Sequence, residues 1–177
     1  MTDQQIEKWK LWCEGTIANN VHTMHLQRAA WREVAKIIDD NGQLPDSYWW
    51  EFMRDTYATT QAVAVRRQAD THRDAASLGR LIQEIRDDAE TITEDFWVGL
   101  WTDPMLKQHV APQAWSEQYA GETRTHLDAS IPAADLRHLK TTAAEVKNYV
   151  DESMSLMPTR FRQPSRSPSR MFTTPST

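Results

Sequence analysis

Apolar side chains recur at intervals of three and four residues along nearly the whole chain, which is the spacing of one face of an α-helix. The first stripe covers residues 6–38 and is followed by Asn41-Gly42, a helix stop signal. Further stripes begin after Pro45 and after Pro132. Strand-like alternation and internal repeats are lacking. The pattern therefore predicts an all-α antiparallel bundle of roughly five to seven helices, because short connections favour antiparallel neighbours.

Length and composition favour one folded domain followed by an unfolded tail. The chain has 177 residues, of which 40% are hydrophobic, enough for a single core. Residues 158–177 contain Pro, Ser, Thr and Arg in four copies each and no acid. Such a segment cannot bury enough surface to fold. We therefore predict a helical domain over 1–157 and a disordered tail over 158–177, with an arm for RNA or an acidic partner as the tail's alternative role.

The counts of cysteine and glycine, the polarity of the N-terminal residues and the net charge exclude several classes of protein. One cysteine, Cys13, excludes an intramolecular disulfide and a cysteine-cluster zinc site. The five scattered glycines do not form a phosphate-binding loop. The polar N-terminal residues and the lack of a long apolar run lead us to expect no membrane association and a cytoplasmic location. The net charge of −5 argues against broad binding of duplex nucleic acid.

The densest cluster of charge lies at residues 62–74, "AVAVRRQADTHRD", where small apolar residues give way to arginines, aspartates and a histidine. At helical spacing the apolar stripe of residues 49–63 continues to Arg67, Asp70 and Asp74. The pattern thus predicts a helix whose inward face becomes ionic without an evident stop. A charge on an inward face needs a partner or a polar cleft, because its unpaired burial is costly.

Two interpretations of this cluster remain open. In the first, Arg67 and Asp70 form an ion pair near a helix end, while His72 and Arg73 lie in water. In the second, Arg67 holds an oxyanion and His72 exchanges protons near neutral pH. On a continuous helix these two side chains are about 140° apart. They can share one site only through a bend at residues 70–72 or across a dimer axis.

The spacing of Arg67 and His72, with four residues between them, resembles the motif typical of the HEPN superfamily (higher eukaryote and prokaryote nucleotide-binding). The segment from Tyr57 to Ile85 also resembles the abortive-infection branch of bacterial HEPN-like proteins. In that branch a Tyr, a Gln, a double Arg, an Asp and a following Ser-Leu-x-x-Leu recur. The likeness extends more loosely over about residues 5–155.

The resemblance implies a helical bundle that is usually a homodimer and often an RNase of a phage-defence or toxin–antitoxin type system. It assigns the scissile phosphate to Arg67 and acid/base chemistry to His72, with the RNA 2′-hydroxyl as nucleophile and with no metal or cofactor. The other candidate positions are Arg66 and Arg73 for RNA binding, with Asp70, Tyr57 and Gln61 in support.

Two departures from the superfamily's pattern support an alternative function. The motif's Arg is generally followed by Asn, Asp or His on a late helix, whereas here Gln68 follows and the motif lies mid-chain. Where relatives often carry a basic residue before Ala-His, the late helix reads "NYVDESMSLM". The alternative is a catalytically degenerate HEPN-like module that acts as a regulatory or interaction protein with a cognate partner.

The aromatic run at the start of the second stripe predicts contact between copies of the chain. Trp49, Trp50 and Phe52 cannot all face one core at about 100° per residue. At least one of the two tryptophans should point outward, and an exposed indole usually marks a contact surface. We therefore expect a homodimer with residues 62–74 near its interface.

His22 and His25 are three residues apart on a predicted helix and could share a metal ion. They lack an obvious third ligand, so we expect no metal site.

Overall fold

The computed structural model describes residues 2–41, 48–121 and 125–155, with side chains described up to residue 148. Within these residues the chain is helical and contains no strand, although isolated β-bridges join Thr93 to His126 and Ala120 to Leu127. The predicted all-α bundle is thus confirmed. The predicted disordered tail over 158–177 lies outside the described residues.

Seven α-helices occur in the described part of the chain. In order they are α1 Asp3–Leu11, α2 Ala18–Asp40, α3 Tyr48–Ala69, α4 Leu78–Asp87, α5 Glu94–Gly99, α6 Ala111–Ala114 and α7 Ser130–Ser155. The shorter helical segments are π-helical at Trp12–Ile17, Leu106–Val110 and Trp115–Tyr119 and 3₁₀ at Ala89–Thr91. None of the helices in residues 2–41, 48–121 and 125–155 has both the length and the apolar character needed to cross a bilayer.

The main core lies where α1 and the π-helical segment after it meet α4 and the short helices that follow. Trp115 is the largest fully buried side chain of the described residues. The core cluster consists of Trp9, Ile17, Leu81, Ala89, Ile92, Trp115 and Leu127. The long helix α7 packs against both α3 and α4, and thereby joins this core to the other half of the molecule.

A buried carboxylate on α4 holds α1 in place. Glu84 Oε2 accepts a hydrogen bond from Trp9 Nε1 at 2.7 Å and lies 2.6 Å from Lys8 Nζ. Its other oxygen, Oε1, accepts from Arg80 Nε at 3.0 Å. Burial raises the pKa of Glu84, but the hydrogen bonds from Lys8 and Trp9 and the charges of Lys8 and Arg80 outweigh burial and lower the pKa overall. The fold therefore stabilises the ionised carboxylate.

The structure corrects the predicted inward face of α3. Trp49 and Val63, which belong to the stripe expected to be buried, are 64% and 52% exposed. The buried positions are instead Ala62 and Gln68, and α3 lies against α7 and α4. Small side chains allow helices to approach closely, so on α3 burial follows the alanines rather than the larger apolar residues.

An aromatic stack joins α2 to α3. The ring of Trp31 lies parallel to Trp50 at 4.9 Å and to Tyr57 at 4.7 Å between centroids. Trp49, next to this stack, is exposed, which confirms that one of the two tryptophans points outward. The described residues of α2 include none that is buried, so this stack joins the two helices through partly exposed rings.

We predict that Glu84→Ala lowers the free energy of unfolding by about 3 kcal/mol, because the substitution leaves Trp9, Lys8 and Arg80 without their buried acceptor. Chemical denaturation at pH 7 measures the loss. The control is Glu7→Ala, which removes the exposed ion pair with Lys10 and should change stability little.

The lowered pKa of Glu84 also fixes the direction of the pH dependence. Its stabilisation is complete above the pKa of an unfolded glutamate, about 4.3, and is lost as the pH falls through the lower folded value. The wild type should therefore lose more stability than Glu84→Ala between pH 6 and pH 3. Equal losses in the two proteins would contradict the role given to this carboxylate.

Candidate functional site

The charged cluster lies where α3 ends, and α3 ends earlier than predicted. The helix stops at Ala69, so Asp70 to Ser77 form a loop before α4. The carboxylate of Asp70 accepts a hydrogen bond from the backbone N–H of His72 at 2.8 Å. Aspartate side chains that bond the backbone two residues on favour a turn over a helix. The predicted continuation of the helical stripe from Arg67 to Asp70 and Asp74 is therefore wrong.

The end of α3 changes the relation between the two central candidates. Arg67 lies in the last turn of the helix, and His72 lies in the loop. The separation of about 140° expected on a continuous helix no longer applies, because the chain bends between them. The Arg67–Asp70 ion pair is not formed, since Asp70 bonds the loop backbone instead. The structural interpretation of the cluster is thus wrong in its ion pair, whereas His72 and Arg73 are exposed as it expected.

The loop is held at both ends by polar contacts. The Ser77 hydroxyl donates a hydrogen bond to the carbonyl oxygen of Asp70 and accepts one from Arg80 N at 3.2 Å, so it closes the loop and caps α4. Gln68 is only 5% exposed, and its Oε1 accepts from Leu78 N at 3.2 Å. The residues that flank the loop are therefore bonded directly to each other.

Gly79 allows the start of α4 to touch the end of α3. A Cβ atom at this position would lie 2.9 Å from the carbonyl carbon and oxygen of Ala69 and 3.0 Å from the carbonyl oxygen of Asp70. These atoms belong to the backbone and cannot move aside as a flexible side chain can. The close contact of the two helices therefore requires glycine here.

His72 lies in the loop with a carboxylate beside one ring nitrogen. Its Nδ1 lies 3.4 Å from the backbone nitrogen of Asp74 and 3.6 Å from Asp74 Oδ2. The side chain is 68% exposed. Among the described residues, nothing bonds Nε2, which is therefore the nitrogen open to a ligand. When the ring proton is on Nδ1, it points at the Asp74 carboxylate and leaves Nε2 as the acceptor nitrogen.

Three arginines lie within six residues of this histidine in the sequence. Arg66 and Arg67 are exposed and form no ion pair with the residues that the structure describes. Arg73 is also exposed, with Nε 3.6 Å from Asp74 Oδ2. Guanidinium groups bind phosphate oxygens through paired hydrogen bonds. The loop and the end of α3 thus present cationic groups suited to an anionic ligand.

The three supporting candidates serve the scaffold. Asp70 forms the turn at the start of the loop. Tyr57 stacks on Trp31, and Gln61 donates from Nε2 to Gln27 Oε1 at 2.7 Å. Both partners lie on α2, so Tyr57 and Gln61 hold α3 against α2 and do not face the loop.

Sequence reasoning missed two residues that shape this region, Gln68 and Gly79. Gln68 lies on the alanine-rich side of α3, and this position in the sequence was the signal from which its burial could have been predicted. It also lines a cavity of about 300 Å³ between α2, α3, α4 and α7. The lining residues are Val21, Met24, His25, Arg28, Gln61, Val65, Gln68, Leu78 and Leu139.

No group of three or more His, Cys, Asp or Glu side chains in the described ranges is arranged to hold a metal ion. Comparisons of the chain with protein-family models, with curated proteins and with solved structures find no match. The resemblance to HEPN proteins therefore stays a prediction.

We predict that Gly79→Ala destabilises the protein by about 1–3 kcal/mol, the usual cost of overpacking, because the new methyl group meets the backbone of Ala69 and Asp70. Thermal denaturation measures the effect. Gly99→Ala is the matched control, since a Cβ there meets nothing within 4 Å. Unchanged stability of Gly79→Ala would show that the helices do not approach as described.

Proposed function

We propose that the chain is a HEPN-like protein of a bacterial defence or toxin–antitoxin type system that binds RNA at the α3–α4 loop and cleaves it without a metal. The observation that carries this proposal is the environment of His72, whose Nδ1 faces Asp74 and whose Nε2 is open. Arg67, at the end of the preceding helix, supplies the cation for a phosphate.

The proposed reaction uses the RNA's own 2′-hydroxyl. Arg67 binds the non-bridging oxygens of the scissile phosphate and stabilises the charge that develops on them. With the ring proton of His72 on Nδ1, facing Asp74 Oδ2, Nε2 accepts the proton of the 2′-hydroxyl, whose oxygen attacks phosphorus while the bond to the 5′-oxygen breaks. The imidazolium returns the proton to the 5′-oxygen. The products are a 2′,3′-cyclic phosphate and a 5′-hydroxyl, so no water or metal is consumed.

The charge of the molecule favours single-stranded RNA over a duplex. The chain carries a net charge of −5, which repels the dense phosphates of a double helix. The positive groups at the end of α3 and in the loop, Arg66, Arg67 and Arg73, form a small local cluster. A flexible strand can bring one phosphate to such a cluster while its neighbours stay away from the acidic surface.

The alternative function is a non-catalytic HEPN-like module that acts through association with a partner protein. The observation that favours it is the exposed apolar surface of α3, where Trp49 and Phe52 are 64% and 66% exposed. Exposed apolar patches of this kind mark contact surfaces. Both functions include a homodimer and a cytoplasmic location, and they differ in whether RNA is cleaved.

Cleavage of a labelled single-stranded RNA in excess EDTA tests the proposal. The wild type should cleave, and His72→Ala and Arg67→Ala should each reduce the rate by about 100-fold or more, the usual loss on removing an acid/base group or a group that stabilises transition-state charge. His22→Ala, which removes an exposed histidine of α2, is the matched control and should cleave normally.

Circular dichroism of each variant establishes that the fold is kept. Cleavage that persists in His72→Ala would remove the assigned site. A wild type that cleaves none of a set of RNAs, yet retains a partner protein, would favour the non-catalytic module.

A further inference from the structure

The outer surface of α3 is exposed over almost the full length of the helix. We define the outer face by its exposed residues Trp49, Phe52, Met53, Thr56, Thr59, Thr60, Val63, Arg66 and Arg67. At 100° per residue Glu51 lies off this face. Asp55 lies at its edge, on the same side of the helix as Arg66, is half-buried, and is paired with Arg54 Nε at 3.3 Å. The outer face is thus apolar at one end, lined by threonines in the middle and cationic at the other end.

The order of residues along this face is symmetric. Thr56 and Thr60 are each two residues from Ala58, and Met53 and Val63 are each five residues from it. Trp49 and Arg67 are each nine residues away. A two-fold axis that crosses an antiparallel pair of helices at Ala58 would bring together the members of each of these pairs, one from each copy.

We propose that two copies of the chain pair antiparallel through their outer faces, crossing at Thr56 and Thr60. Each symmetric pair is chemically compatible. The threonines are small enough for the helices to approach closely, and Met53 of one copy packs against Val63 of the other. At both ends the indole of Trp49 stacks on the planar face of the Arg67 guanidinium from the second copy, a favourable cation–π contact that leaves the N–H groups at the guanidinium edge open to a phosphate.

A second copy fits this face better than an unrelated partner because the face is complementary to itself. Parallel pairing would place Arg67 against Arg67, and like charges repel. Antiparallel pairing removes that repulsion and covers both tryptophans. Two equivalent contacts at opposite ends also fix the register, since a shift of one helical turn would separate Trp49 from Arg67 at both ends.

The proposed pairing changes the expected relation of the two loops. The two Arg67 residues would lie about 27 Å apart along the helix, at 1.5 Å per residue. Each loop is then a separate site, and the dimer axis does not combine them. The pairing involves the outer face of α3 alone and stands whether or not the protein cleaves RNA.

Disulfide cross-linking tests the register. In a Cys13→Ser background, Thr56→Cys chains are mixed with Thr60→Cys chains carrying a distinguishable tag, and are oxidised. We expect a heterodimer of the two chains that forms faster than either homodimer and that a reducing agent separates. The mismatched control mixes Thr60→Cys with Val63→Cys, whose positions lie about 10 Å apart along the axis in the proposed register, and should cross-link slowly.

Sedimentation equilibrium of the protein without cross-links is the second test, and it measures dimerisation itself. The wild type should have twice the chain mass of 20.5 kDa, and Trp49→Glu should weaken dimerisation at least tenfold. Leu11→Glu, which alters an exposed leucine of α1, should leave it unchanged. A monomeric wild type at 100 micromolar, or equal cross-linking of the matched and mismatched pairs, would overturn the proposal and leave the face to another partner.

Discussion

The close contact between the start of α4 and the end of α3 is the constraint on which the candidate site depends. Gly79 lets the α4 backbone lie against the carbonyl groups of Ala69 and Asp70. That proximity permits the hydrogen bond from Leu78 N to Gln68 Oε1. With both ends fixed, the loop between the helices has few conformations left, so His72 is positioned by backbone contacts rather than by burial.

The same contact explains why α3 shows two unlike faces. The alanine-rich face meets α4 and α7, where small side chains permit a short distance between helices. The larger apolar residues, including Trp49, Met53 and Val63, are then left on the exposed side. We propose that this exposed side is an interface between two copies and that the loop at its cationic end binds RNA. One helix thus connects the proposed partner surface to the proposed chemistry.

The all-α architecture was predictable because apolar spacing of three and four residues is a local signal that covers most of the chain. The direction in which α3 faces was not predictable from size and hydrophobicity. Its burial depends on how closely α7 and α4 approach, which is decided by distant residues such as Gly79.

The end of α3 was also not predicted. The signal was present in the sequence, because the Asp70 side chain accepts a hydrogen bond from the backbone N–H of His72 and so favours a turn over a further helical turn. The candidates Arg67 and His72 could be named, but the role of Asp74 beside the imidazole required the structure.

Amide hydrogen exchange of Leu78 shows whether polar contacts hold the α3–α4 loop in place in the free protein, as the candidate site requires. The first N–H groups of a helix have no partner within the helix, so protection at this position reports the bond to Gln68. We expect slow exchange of the Leu78 amide in the wild type and fast exchange in Gln68→Ala, with core amides of α4 such as that of Ile85 protected in both. Exchange of the wild-type Leu78 amide at the rate of an unstructured peptide would contradict a fixed loop.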